Sequence, residues 1–346
     1  MSSAPGSESR GRGAAIAALV ATTVFWAGNY VVGEIAVRSI DPLSLTFLRW
    51  AIATPILLVL AAIIERPDWR AALRALPRLA VLATLGMIGF VLPLYEALRT
   101  TTAVSAALIS SVCPLLIALV AGIALRERPG GRMIAGLLVG LAGVVLVVSK
   151  GSLDALLRLD LAPGDLWVLL AVVCWTAYTV LGRRAAGVPP ITSVAVQSAC
   201  ATILMLPAVA ILGVHLPTQA PAIASLAFIV ALPTIGSYLL WTIALRRIPA
   251  AGAGIFLNLI PVFTVVIALA LGETIAPAEY VGGALVLAGV LLATWTGRPS
   301  DRTPTPPDAG PDTQPDAGAD APPAARPDAQ PAAKTGASDD QADART

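Results

Sequence analysis

The sequence predicts an all-α integral membrane protein: ten transmembrane helices arranged as two inverted five-helix repeats, followed by a disordered C-terminal tail. Three observations carry that prediction. The 346 residues are 57% hydrophobic and only 13% charged, with a mean hydropathy of +0.80, whereas soluble domains run roughly 45–50% apolar and about 25% charged. The apolar residues fall in ten runs of 19 to 25 residues, long enough as helices to cross a hydrocarbon core of about 30 Å. Polar and aromatic landmarks of the first five runs recur in the second five at offsets of 146 to 149 residues. A soluble α/β enzyme, a nucleic-acid-binding domain and a disulfide scaffold are poor readings of such a chain.

The runs cover residues 14–37, 43–64, 76–98, 103–125, 131–149, 164–184, 190–212, 221–245, 250–271 and 277–296, with turn residues at Asp41-Pro42, Pro129-Gly130-Gly131, Pro189-Pro190 and Ile248-Pro249. The first follows Arg10 and Arg12 as a signal peptide would, but its length and its Trp26, Asn29 and Tyr30 mark a retained span. Cys113, Cys174 and Cys200 all lie inside apolar runs, where cysteine behaves as a small hydrophobe. Neither a disulfide nor a metal site is expected. Residues 299–346 form a Pro/Ala/Asp-rich segment with ten prolines, no Val, Ile, Leu, Met, Phe, Tyr or Trp, and 4 Lys/Arg against 9 Asp/Glu, a net −5. Such a segment buries nothing to offset its ordering entropy.

Direction follows from the cations. With the N-terminus in the cytoplasm, fifteen Lys/Arg fall inside and four (Arg38, Arg99, Lys150 and Arg158) outside, the bias that the positive-inside rule requires. The tail is then cytoplasmic as well, and the expected location is the bacterial inner membrane.

The internal repeat is the strongest signal. Trp26, Asn29, Tyr30 and Gly33 recur as Trp175, Tyr178, Thr179 and Gly182, an offset of 149. Ala97-Leu98 and Pro114 recur as Ala244-Leu245 and Pro261, offset 147. Glu127, Gly136 and Gly143 recur as Glu273, Gly282 and Gly289, offset 146. The repeats are therefore residues 14–149 and 164–296. Because five is odd, the second copy must enter the membrane upside-down, the arrangement many secondary transporters use for alternating access.

The same residues resemble the EamA-type transporters of the drug/metabolite transporter superfamily, over nearly all of residues 14–296. The matching pieces are Trp26-Ala27-Gly28-Asn29, Arg49, Tyr95-Glu96-Ala97-Leu98, Pro114, and Glu127 with Gly136 and Gly143. Ala27 stands where that family usually has glycine. The resemblance implies ten helices in two inverted halves around a cavity lined by spans one, three, four, six, eight and nine, and transport of small metabolites, often outward.

Polar groups inside apolar runs are costly and mark pathways. Arg49 stands seven residues beyond Pro42, about 10 Å into its helix. It either attracts a substrate carboxylate, or snorkels or pairs permanently with Glu34. Trp26, Asn29 and Tyr30, their counterparts Trp175 and Tyr178, and Tyr95, Tyr238, Trp241 and Asn258 complete the expected substrate pathway. Glu34 and Glu96 could carry a proton, or form interfacial salt bridges with Arg38 and Arg99. Pro114 and Pro261 are expected to bend their helices by freeing a backbone carbonyl. Glu127 and Glu273 are read as structural turn residues, and the glycines as close packing within the bundle.

The single histidine, His215, and the lack of HExxH, Gly-x-Ser-x-Gly and Walker-type motifs leave no expectation of a metal, a cofactor or an enzyme. The function expected is a secondary transporter exporting a small polar metabolite, such as an amino acid or a toxic analogue, with Arg49 orienting an anionic group. A flippase for a lipid-linked substrate, or a membrane enzyme or sensor without transport, stands as the alternative. A small-molecule substrate and membrane lipid are the expected partners, with no nucleic acid. Both a monomer and a homodimer fit.

Overall fold

The computed structural model describes residues 5–124, 131–152, 162–182, 187–245, 247–248 and 256–294. Glu127 and the 299–346 segment lie outside them. Helix is the only regular secondary structure among the described residues. Six helical stretches are long and apolar enough to cross a membrane: Gly13–Ala36, Pro42–Ile64, Leu76–Ala97, Pro163–Gly182, Pro190–Leu212 and Ala220–Leu245. Four shorter apolar stretches, Ala103–Ile117, Ile134–Val148, Leu257–Ala270 and Pro277–Leu292, fall within the remaining four runs.

In chain order the helices are α1 (Pro5–Ala36), α2 (Pro42–Ile64), α3 (Trp69–Arg74), α4 (Leu76–Leu82), α5 (Val91–Ala97), α6 (Ala103–Ser110), α7 (Cys113–Ala124), α8 (Gly131–Val148), α9 (Pro163–Gly182), α10 (Pro190–Leu212), α11 (Ala220–Ile229), α12 (Ser237–Leu245), α13 (Ile260–Ala270) and α14 (Pro277–Thr294). Their starts follow local chemistry. Asp41 accepts a hydrogen bond from the Ser44 amide at 2.8 Å and precedes Pro42 at the first helical position. Burial pushes the Asp41 carboxyl up, but the Ser44 bonds and His215 hold it below its ordinary range. Thr102 caps α6 through the Ser105 amide at 3.0 Å.

Two π-helical turns interrupt the third and eighth runs, at Ala83–Ile88 and Val230–Gly236. They start 147 residues apart, the offset of the repeat at that point. In the second, Pro233 has no N–H to give to Ile229, and the Thr234 hydroxyl donates to that carbonyl instead at 2.7 Å.

Pro114 and Pro261 each sit in the first turn of a new helix, α7 and α13. The expected freed carbonyl at mid-helix is not what forms. The chain breaks ahead of each proline, at Ser111–Val112 and at the 3-10 turn Leu257–Leu259, where a proline that opens a helix loses no hydrogen bond.

Two antiparallel pairs organise the packing. Helix α2 runs against α10. At one end the His215 amide donates to Ser44 Oγ at 2.9 Å; in the middle Thr54 Oγ1 donates to Ser198 Oγ at 3.1 Å. At the other end Glu65 receives the amides of Ile191 and Thr192 at 2.9 and 2.7 Å, plus the Thr192 hydroxyl at 2.7 Å. The carboxylate thus caps the N-terminus of a helix far along the chain, where the helix dipole favours it. Glu65→Ala strips three donors of their acceptor and is expected to destabilise the fold by roughly 1–3 kcal/mol, read as a lowered Tm in detergent, with Glu65→Gln falling between.

Helices α8 and α14 are the second pair. A Cβ on Gly143 would lie 2.5 Å from the Gly282 carbonyl oxygen, and one on Gly289 2.5 Å from both the Gly136 oxygen and the Gly140 nitrogen. The glycine stripe therefore serves contact inside this chain. Helix α1 packs on α11, α12 and α13, and α9 packs on α4, α5, α6 and α7.

Candidate functional site

Arg49 is buried, with 6% of its surface exposed. It neither snorkels nor pairs with Glu34. Its guanidinium Nη1 donates to Asn29 Oδ1 at 3.0 Å and to the Tyr95 hydroxyl at 2.7 Å, and that hydroxyl donates to Asn29 Oδ1 at 3.0 Å. The guanidinium carbon stands 5.0 Å from the centroid of the Trp50 ring, a cation–π contact. Every one of these partners is neutral. Arg49 Nε is buried with no hydrogen-bond partner among the described residues. Arg49 is thus a desolvated cation held by neutral dipoles, a costly arrangement for a buried charge.

Beside this triad lies an aromatic group. Trp26 meets Tyr238 edge-on at 6.4 Å and Trp241 at 5.7 Å, and its Nε1 donates to the Pro233 carbonyl at 3.1 Å. A second group joins Phe90, Trp175 and Tyr178, with ring centroids 4.8 and 5.2 Å apart. There Gly86 admits the Tyr178 ring, to which a Cβ would come within 2.5 Å. Trp26, Tyr238 and Trp241 thus come together, as do Trp175 and Tyr178, and Asn29 with Arg49 and Tyr95. Tyr30 is buried in the apolar core, and Asn258 sits half-buried in the 3-10 turn before α13.

A cavity of about 570 Å³ opens at the end of the bundle formed by the last turn of α1, the α5–α6 turn, the end of α8 and the start of α14. Of the expected pathway and proton-coupling residues only Glu34 lines it, together with Arg38, Arg99, Thr101, Lys150 and Glu279 among others. Glu34 pairs with Arg38 at 3.1 Å and Glu96 with Arg99 at 2.9 Å. Glu273 lies between α13 and α14; burial, helped by the Glu34 and Glu279 carboxylates, raises its carboxyl above the ordinary range, with Arg38 opposing.

Sequence reasoning passed over Glu65, Asp165 and Glu279. Asp165 accepts from Thr101 Oγ1 at 2.7 Å; Glu279 accepts from Ser105 Oγ at 2.6 Å, Thr102 Oγ1 at 3.1 Å and the Ala276 amide at 2.9 Å. The available signal was an acid two residues after a helix-opening proline, in Pro163-Gly164-Asp165 and Pro277-Ala278-Glu279.

The sequence pattern of the EamA-like transporter family matches residues 13–149 and 162–295. The chain belongs to that family. It is 28% identical over 287 residues to the uncharacterized transporter YyaM of Bacillus subtilis, covering 80% of this chain and 92% of that one. It is 29% identical over 288 residues to a probable terminal-alkyne amino-acid exporter of Streptantibioticus cattleyicolor, again covering 80% of this chain and 92% of the relative. A solved crystal structure superposes with a TM-score of 0.56 at 22% identity, covering 82% of this chain and 98% of that one, a likeness of fold. As an EamA-family member the chain is a multi-pass membrane transporter, and the Arg49 triad lies within the first matched region, residues 13–149.

Proposed function

We propose that this protein is a secondary transporter of the inner membrane that exports a small polar metabolite bearing a carboxylate, such as an amino acid, by alternating access. The observation that carries the reading is the buried Arg49 cation, which among the described residues is held by neutral partners with Nε left without one. A carboxylate entering from water would complete its hydrogen bonding and cancel its charge, and the bidentate fork of arginine suits that group. Trp26, Tyr238 and Trp241 then supply an apolar wall for the rest of the solute. The amino-acid exporter among the relatives is in keeping with this chemistry.

The ten-helix inverted repeat is part of the proposal. It is supported by the two antiparallel pairs, since α2 and α10 are the second helices of the two halves and α8 and α14 the last. The matched π turns support it too. Two halves of like structure exchange conformations at little cost, which alternating access needs. The arginine distribution supports a cytoplasmic position for both termini.

The test is solute flux. Untargeted profiling of the medium from cells overproducing the protein is expected to show one or a few carboxylate-bearing metabolites enriched over vector controls, and proteoliposomes are expected to carry the same solutes. Enrichment of uncharged solutes alone, or translocation of a labelled lipid without solute flux, would overturn the proposal.

A further inference from the structure

The turn between α5 and α6 is fastened more heavily than its position requires. Three carboxylates from three different helices converge on residues 101–105. Glu34 of α1 accepts the Ala103 amide at 2.8 Å. Asp165 of α9 accepts the Thr101 hydroxyl, and Glu279 of α14 accepts the Thr102 and Ser105 hydroxyls. Asp165 and Glu279 are 3% and 9% exposed, and hydrogen bonds to ionised carboxylates are the strong ones. Gly164 brings α9 against the same turn, with room for no side chain: a Cβ there would lie 2.5 Å from the Ala97 carbonyl oxygen.

The turn stands between the open cavity and the Arg49 triad. Thr100, Thr101, Thr102 and Ser105 line the cavity, and so does Leu98. Immediately below, Gly33 of α1 lets Leu98 and Tyr95 close against it, each within 3.1 Å of where a Cβ would stand. Asn29, which holds Arg49, is four residues further along α1, about 6 Å of helix rise. The order along α1 is therefore cavity, contact of Gly33 with Leu98 and Tyr95, then triad.

We infer that the α5–α6 turn is the gate of the Arg49 site on the non-cytoplasmic side, shut in this structure and latched by Glu34, Asp165 and Glu279. The inference rests on the alternating-access reading above. Opening requires the turn to leave three acceptors at once, which keeps the gate closed until a competing set of contacts replaces them.

Native Cys113 is the reporter. It is buried, neighbours Tyr30, and lies ten residues beyond Ala103, past the break at Ser111–Val112. With Cys174 and Cys200 replaced by serine, a membrane-impermeant thiol reagent is added from the side of the α5–α6 turn in sealed vesicles. The Asp165→Asn, Glu279→Gln double variant is expected to label Cys113 at least about tenfold faster, as hydrogen bonds to charged groups are each strong enough to shift an equilibrium by that factor. Thr101→Val with Thr102→Val, which removes two of the hydroxyl ties from the other side, is expected to act in the same direction, and a Tm close to that of the parent certifies either variant as folded. Unchanged labelling in a folded variant overturns the latch. Faster labelling without any solute flux upholds the latch and removes the carrier reading, whereas solute flux with unchanged labelling does the reverse.

Discussion

Arg49→Ala is expected to abolish carboxylate flux while the protein accumulates in the membrane at the wild-type level. The two halves of that outcome have separate causes. Loss of flux follows because truncating one member of a buried, hydrogen-bonded charge pair costs about 2–5 kcal/mol of binding, a thirtyfold loss of affinity or more by the usual conversion. Retention of the fold follows because the Tyr95 hydroxyl still donates to Asn29, and because an uncompensated buried cation is a burden on the empty protein. The Tm of the variant is therefore expected to equal or exceed that of the wild type. Arg49→Lys keeps the charge but loses the planar fork, so residual flux with a raised half-saturation is expected. Radiolabelled amino-acid flux in proteoliposomes, paired with thermal unfolding in detergent, reads both. Wild-type flux in Arg49→Ala would remove this side chain from the mechanism.

Gly289→Val is expected to be the most damaging single change to the fold. The obstacle to a side chain at this position is backbone, namely the Gly136 oxygen and the Gly140 nitrogen and Cα, all within 2.9 Å of the added Cβ. Backbone at a helix crossing cannot turn aside as a side chain can, so α8 and α14 must separate along their length. Overpacking usually costs 1–3 kcal/mol or more, and loss of the close approach removes the van der Waals contact that holds helices together in lipid. Gly140→Ala is the control, since its Cβ meets only the tip of Leu115, at 2.6 Å. Fluorescence-detected size exclusion is expected to show aggregation for Gly289→Val and a near-normal peak for Gly140→Ala. Equal peaks would mean that the two helices have slack that this structure does not show.

Much of the site was legible residue by residue. Arg49 declared itself as a charge inside an apolar run, and Asn29 and Tyr95 as polar groups in their own runs. Their association was not legible, because Asn29 and Tyr95 are 20 and 46 residues from Arg49 and no local rule links such positions. Glu34 illustrates the same gap: its neighbour Arg38 at four residues' distance was foreseeable, whereas its bond to the Ala103 amide needed the folded chain. Glu65, Asp165 and Glu279 drew no reading for the same reason, since their partners lie far along the chain. The prolines were legible as disturbances and misread in kind, since the chain relieves each by breaking the helix one turn ahead of it.

What the sequence by itself determined is the all-helical membrane class, the placing of the apolar runs and the family, because chain-local apolar length and repeated spacing decide each of these. What only the tertiary structure decided is which polar groups meet. Three segments must converge before a buried guanidinium is seen to have neutral company, and others before three carboxylates share a common turn. Such encounters are fixed by how the glycine stripes and antiparallel pairs bring helices together, and that information is spread along the whole chain.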